Sequence, residues 1–146
     1  MEEQSILEPV PEFKLYGETA VRGATFFGGP LVAGYLIAEN FKLLGHHEKA
    51  KATWLYAIAA SVIILGGVFM IPETVHIPSY IIPLAYAWGA SLIVHQTQGN
   101  EIKKHVATGG QLFSFWRVAG ISFVGLVITF GILFLVVLLT DKQLSL

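Results

Sequence analysis

Residues 28–45 read GGPLVAGYLIAENFKLLG, an apolar helical stretch with a Gly-Gly-Pro break at one end and a polar exit, Glu39-Asn40, at the other. A second stretch at residues 83–99, PLAYAWGASLIVHQTQG, follows the same plan. Each begins with Pro-Leu and reaches a Gly near its polar end. Each is followed by a short basic segment, a Trp (Trp54 or Trp116) and a long apolar run. The pattern describes two similar helical hairpins. Two origins fit it: an internal duplication, or features that any two membrane hairpins share.

Working outward, the apolar runs set the fold class. The chain of 146 residues is 54% hydrophobic and only 13% charged, against roughly 25% charged for a soluble domain. Its mean hydropathy is +0.65. Residues 52–71 and 118–140 carry no charge, and a helix needs about 20 apolar residues to cross the hydrocarbon core. Residues 23–38 and 79–94 are shorter uncharged runs, bounded by Arg22 and Glu39 and by His95 and Gln96. Snorkelling ends and local thinning accommodate such spans. The expectation is an all-α membrane protein with four transmembrane helices, arranged as two parallel-oriented helical hairpins. The membrane domain takes residues 19–140. Residues 1–18, acidic and broken by Pro9 and Pro11, are expected as a flexible tail, and residues 141–146 as a short C-terminal tail. The acidic start, with no apolar segment behind it, does not read as a signal peptide.

Within the first helix, Pro30 removes an N–H and clashes with the preceding turn, so a kink is expected near Phe26–Pro30. Gly28, Gly29, Pro30 and Pro83 are candidate hinges, or simply shape. Pro30, Gly34 and Ala38 make a flat stripe for close helix approach, as does Ala85 with Gly89. Trp54, Trp116 and Arg117 suit the membrane interface. Trp88, about 13 Å into its helix, is too deep for that and reads as bundle packing or as a ligand-stacking platform. In residues 97–117, Asn100 is expected to cap a short interfacial helix with Ile102 and Val106 on one face.

Four spans put both termini on one side. The two loops on the other side, with Arg117, hold Lys42, Lys49, Lys51, Lys103 and Lys104, against Lys14, Arg22 and Lys142 on the terminal side. The positive-inside rule then puts the basic loops in the cytoplasm and both termini outside.

Chemistry has little to work with. There is no Cys. Asp141 is the one Asp, and every Glu falls in a tail, a turn or a helix end. Carboxylate clusters that hold divalent ions are absent. Ser79 near His76 and Glu73 is the one pairing in a turn that invites a nucleophile reading. His46, His47, His95 and His105 share the basic side, but without H-x-x-x-H spacing they read as headgroup-facing rather than Zn or Ni ligands. No catalytic, metal or cofactor-binding residue is assigned, and no nucleic-acid partner is expected. Glu39, Asn40, His95 and Gln96 occupy comparable ends of two helices and form a candidate polar cluster, either a clasp or a gate.

The runs FFGGPLVAGYLIAENFKLLG, IPLAYAW and QGNEIKKHVATGGQLFSFWRVAGIS carry a resemblance over most of the chain. They resemble a widespread group of small bacterial four-span membrane proteins with no activity attached. The marks are Gly28-Gly29-Pro30-Leu31, Asn40, Gly45, Pro83-Leu84-Ala85-Tyr86, Gly99, His105, Gly109-Gly110 and Trp116-Arg117. The resemblance implies a bacterial inner-membrane location and no mechanism. The expected function is that of a non-enzymatic accessory or structural subunit. It would act through helix contacts within the lipid bilayer, by self-association or with another membrane protein. The alternative is a small carrier working as an oligomer, with Pro30 and Pro83 as hinges.

Overall fold

The Gly-Gly-Pro break turns the chain back on itself. In the computed structural model, which describes residues 9–144, α1 (Glu18–Gly28) ends and α2 (Pro30–Leu43) begins on either side of Gly29. Gly29 has φ 88° and ψ 178°, a region that is nearly glycine-only. Its N–H closes α1 on the Thr25 carbonyl at 2.9 Å. Pro30, whose missing N–H costs nothing in a first turn, opens α2. A continuous helix would hold Tyr16 and Asn40 about 36 Å apart at 1.5 Å per residue. Instead the Asn40 side chain is hydrogen-bonded to Tyr16 at 2.8 Å. The two arms therefore form a helical hairpin with its tip at Gly28–Pro30, and its open ends lie together at what is called here the base.

The other helices are arranged around this hairpin. α3 (His47–Met70) leaves the base along α2 and runs on past the tip. A Cβ on Gly34 of α2 would overlap that of Ala57 of α3, so the two backbones are in close contact. α4 (Ile81–Thr97) returns to the base along α1, and α5 (Gly99–Ala107) lies at the base. There β1 (Lys14–Leu15) pairs in parallel with β2 (Gln111–Leu112), Lys14 opposite Gln111. α6 (Phe115–Leu144) leaves along the other side of α1. Its Ser122 Oγ donates to the Ala24 carbonyl at 3.1 Å and its Thr129 Oγ1 to the Gly28 carbonyl at 3.4 Å. The second of these serves a carbonyl at the end of α1 that has no partner within its own helix. α1 thus sits between α4 and α6.

Three expectations are corrected. The chain is helical, but two helices are long and apolar enough to cross a membrane, not four: α3 and the Phe115–Lys142 part of α6. The reversal divides the first expected span into arms of 11 and 14 residues, and α4 has 17. The N-terminal segment, expected as a flexible tail on the side away from the basic loops, enters the fold at the base. Leu15 and Tyr16 have no exposed surface, and they head the cluster formed by Val21, Leu36, Ile37, Phe41, Val94 and Ile102. Burying one such apolar side chain is worth about 1.5–3 kcal/mol, enough to hold a short segment. The two termini of the described chain therefore lie at opposite ends: β1 is at the base with both basic loops, and α6 finishes beyond the tip. Third, the expected C-terminal tail is helical through Leu144. The earlier part of the acidic tail, residues 1–8, and residues 145–146 lie outside the described residues.

The hairpin reading keeps one element. α2 then α3, and α4 then α6, run in the same sense, toward the base and away from it. α1 is the additional arm, wedged into the second pair.

Candidate functional site

The polar groups of the hairpin gather at its base. Asn40 Oδ1 accepts the Tyr16 N–H at 2.8 Å, and Asn40 Nδ2 donates to the Tyr16 carbonyl at 2.8 Å and to Gln98 Oε1 at 3.0 Å. Gln98 Nε2 donates in turn to the Ile37 carbonyl at 2.9 Å. Both side chains are fully buried. The Asn40 amide does for Tyr16 what a neighbouring strand would do, taking both backbone groups at once. A carboxylate could not, since it has no N–H to donate. α1, α2 and α4 are tied together at this one point.

Tyr16 carries the clasp outward to α6. Its ring stacks on Phe113 at 4.3 Å, and its hydroxyl accepts from Arg117 Nε at 3.0 Å. The Arg117 guanidinium also lies 4.5 Å from the Phe113 ring centre. Burial pushes the Tyr16 phenol up from its ordinary value against the opposing pull of Arg117, so the hydroxyl stays neutral.

A second polar set joins α1 to α4. Glu18 accepts from Ser91 Oγ at 3.0 Å and meets His95 Nδ1 at 3.1 Å. These two bonds, His95 first, hold the Glu18 carboxyl below its usual range. One turn further into α1, the Arg22 guanidinium lies 4.9 Å from the Trp88 ring centre. Trp88 is half exposed and capped by a cation, neither buried in the bundle nor open as a platform.

The third set belongs to the basic loops. His46 Nε2 meets Glu101 at 3.1 Å, tying the α2–α3 turn to α5. His105 is buried, against the expectation of a headgroup-facing residue, and its Nε2 donates to the Gln111 carbonyl at 3.0 Å. Its ring packs over Gly110, where a Cβ would come within 2.5–2.6 Å of it. α5 buries Ile102 and His105, whereas Val106 faces out, and its N-cap is Gln98, not Asn100.

Of the candidate cluster, Asn40 is bonded to Tyr16 and Gln98, and His95 to Glu18. Gln96 is exposed and Glu39 half-buried. Gln98, Tyr16 and Glu18 were not singled out from the sequence. A signal for Gln98 exists: Ala87, Ser91 and Val94 are the buried face of α4, and position 98 continues that helical spacing where position 96 does not. The candidate hinges Gly29, Pro30 and Pro83 line one cavity of about 530 Å³ beyond the tip, with Tyr86, Ser61 and Thr129. Trp54, Trp116 and Arg117 line a separate groove at the base end of α3 and α6. Among the described residues no group of three or more His, Asp or Glu is placed to hold a metal ion.

Comparison of the chain with known protein families, characterised proteins and solved structures gives no match. Fold and site together define a helical bundle with two apolar helices of membrane-crossing length, clasped at one end by buried amides.

Proposed function

We propose that this chain is a multi-pass bacterial inner-membrane protein with a re-entrant α1–α2 hairpin. In this reading it acts without enzymatic chemistry, as a structural or accessory subunit held to other membrane helices by its outer faces. Three helices cross in this reading, α3, α4 and α6, while the hairpin dips in from the base and returns. The membrane part is supported by exposure. The most apolar windows of α3 and α6 are only 11% buried, whereas an apolar helix in a soluble protein is covered by its own core. Charge supports the orientation. Lys14, Arg22, Lys42, Lys49, Lys51, Lys103, Lys104 and Arg117 lie toward the base, and Lys142 alone lies at the other end. The base is then cytoplasmic. The bacterial inner-membrane assignment rests on the sequence resemblance.

The observation that carries the subunit reading is the set of small residues with nothing on them. Gly28, Gly34 and Gly125 are closed against neighbouring helices, but a Cβ on Gly66, Gly67, Gly89 or Gly131 would meet nothing within 4 Å. On α3, Ala52, Ala59 and Gly66 are exposed at seven-residue spacing, one face of the helix. Within a bilayer such faces admit another helix backbone. Purification from native membranes in mild detergent tests this. The expected result is an oligomer or a complex with another membrane protein, lost in Ala59→Trp and Gly66→Leu with the melting temperature kept. A solitary wild-type monomer overturns it.

One observation favours the carrier alternative. Gly29 and Pro30 at the tip and Pro83 of α4 share one cavity, mostly apolar in lining. A carrier built this way would take an apolar solute and move the tip. A cysteine at Thr129, introduced into a chain without native cysteine, should label from both sides of the membrane in turn if so, and from at most one side if the tip is fixed.

A further inference from the structure

A groove of about 560 Å³ runs down the outside of the molecule between α2, α3 and α6. Arg117, Trp54 and Trp116 line its base end, and it follows α6 past Gly120 to Ile128. Arg117 is the one charged residue in the lining. Its Nε is committed to Tyr16, but among the described residues no carboxylate lies within ion-pair distance of it. The Tyr35 hydroxyl also lies against the guanidinium, whose five N–H donors exceed these two partners and leave donors for a phosphate. From Arg117 to Ile128 is about 16 Å of helix at 1.5 Å per residue, close to half of a ~30 Å hydrocarbon core. The groove is therefore one leaflet deep, with indoles and a cation at the headgroup level. Gly120 keeps the groove open, since a Cβ there meets nothing within 4 Å.

We infer that this groove seats one anionic phospholipid of the base-side leaflet, its acyl chain along Gly120 and its phosphate on Arg117. The inference rests on the membrane reading above. A guanidinium with no carboxylate partner among the described residues, at the mouth of an apolar slot, selects a ligand with a net negative head and an apolar tail. A second helix would bring apolar surface but leave the charge unanswered.

The test is native mass spectrometry of the full chain in mild detergent, titrated with phosphatidylglycerol or phosphatidylcholine. Phosphatidylglycerol should be retained over phosphatidylcholine by roughly fivefold, the scale of one exposed ion pair, because choline neutralises the phosphate that both lipids offer Arg117. Arg117→Gln should abolish the preference and Arg117→Lys should keep most of it. Gly120→Phe puts a ring into the groove from a position where the Cβ itself meets nothing within 4 Å, and should remove the bound lipid. Gly131→Phe, at an equally open position outside the groove, should not. Equal retention of both lipids, or unchanged binding in Gly120→Phe, overturns the site. A wild-type dimer that Gly120→Phe dissolves also overturns it, in favour of a second copy. Fractionation separates the two failures. A membrane-bound chain indifferent to headgroup charge sinks the lipid site alone, and a chain recovered without detergent sinks the membrane reading with it.

Discussion

Asn40 holds Tyr16 by both of its backbone groups, N–H and carbonyl, each at 2.8 Å. The two residues stand at the two open ends of the hairpin, so one side chain fixes how the arms close. The amide also reaches Gln98, which brings the end of α4 to the same point. Everything else at the base is arranged around this closure. β1 is positioned to pair with β2, and the Tyr16 ring is delivered to Phe113 and Arg117.

Loss of the amide should therefore cost more than an ordinary hydrogen bond. Asn40→Ala leaves the N–H and carbonyl of Tyr16 and the Gln98 Oε1 buried without partners, at ~1–3 kcal/mol for an unsatisfied group. A destabilisation of about 2–4 kcal/mol is expected, read as a drop in melting temperature in detergent. Gln98→Ala should cost less. The double variant should fall short of the sum by roughly 1 kcal/mol, because the two side chains share a bond.

The α2–α3 contact makes a steric prediction with its own rescue. Gly34→Ala places a methyl on Ala57 where two backbones meet. Overpacking of this kind costs about 1–3 kcal/mol. Adding Ala57→Gly should recover most of the loss in the same melting measurement. Failure of the rescue would mean that α2 and α3 are not in register at this pair.

How much of this was legible beforehand depends on sequence separation. α3 and α6 were plain in the sequence, because long uncharged runs need no partner to be recognised. Pro30 and the glycines before it read as a break. Whether a break kinks or reverses is decided elsewhere, by Asn40 meeting Tyr16, and nothing local to Gly29 reports that. Tyr16 and Glu18 stand in acidic, proline-containing sequence, which reads as a tail. Asn40 is legible as a polar residue at a helix end, but it bonds Gln98, two positions from the candidate Gln96. The spacing of the buried face of α4 separates the two only if that helix is carried past Thr97, where the sequence suggested a loop.

Glu18 gives a pH dependence. Its carboxyl is held below the usual range by His95 and then Ser91. A folded value below the unfolded one of ~4.3 means that stability is present above that pH and lost as pH falls through the folded value. Glu18 and His95 are each more than a third exposed, so screening keeps the contribution below about 1 kcal/mol. The wild type should lose more melting temperature than Glu18→Gln between pH 6 and pH 3. Parallel pH profiles would assign the acid sensitivity to other groups.

The re-entrant hairpin can be tested through its sidedness. The chain has no cysteine, so single cysteines can be placed at Glu12, His47, Gln111 and Glu73 and labelled with an impermeant maleimide in vesicles of known orientation. Glu12, His47 and Gln111 should label from one side and Glu73 from the other, because both arms of the hairpin open at the base. Labelling of Glu12 together with Glu73, opposite His47, would mean that residues 18–43 pass straight through the membrane and would contradict the fold described here.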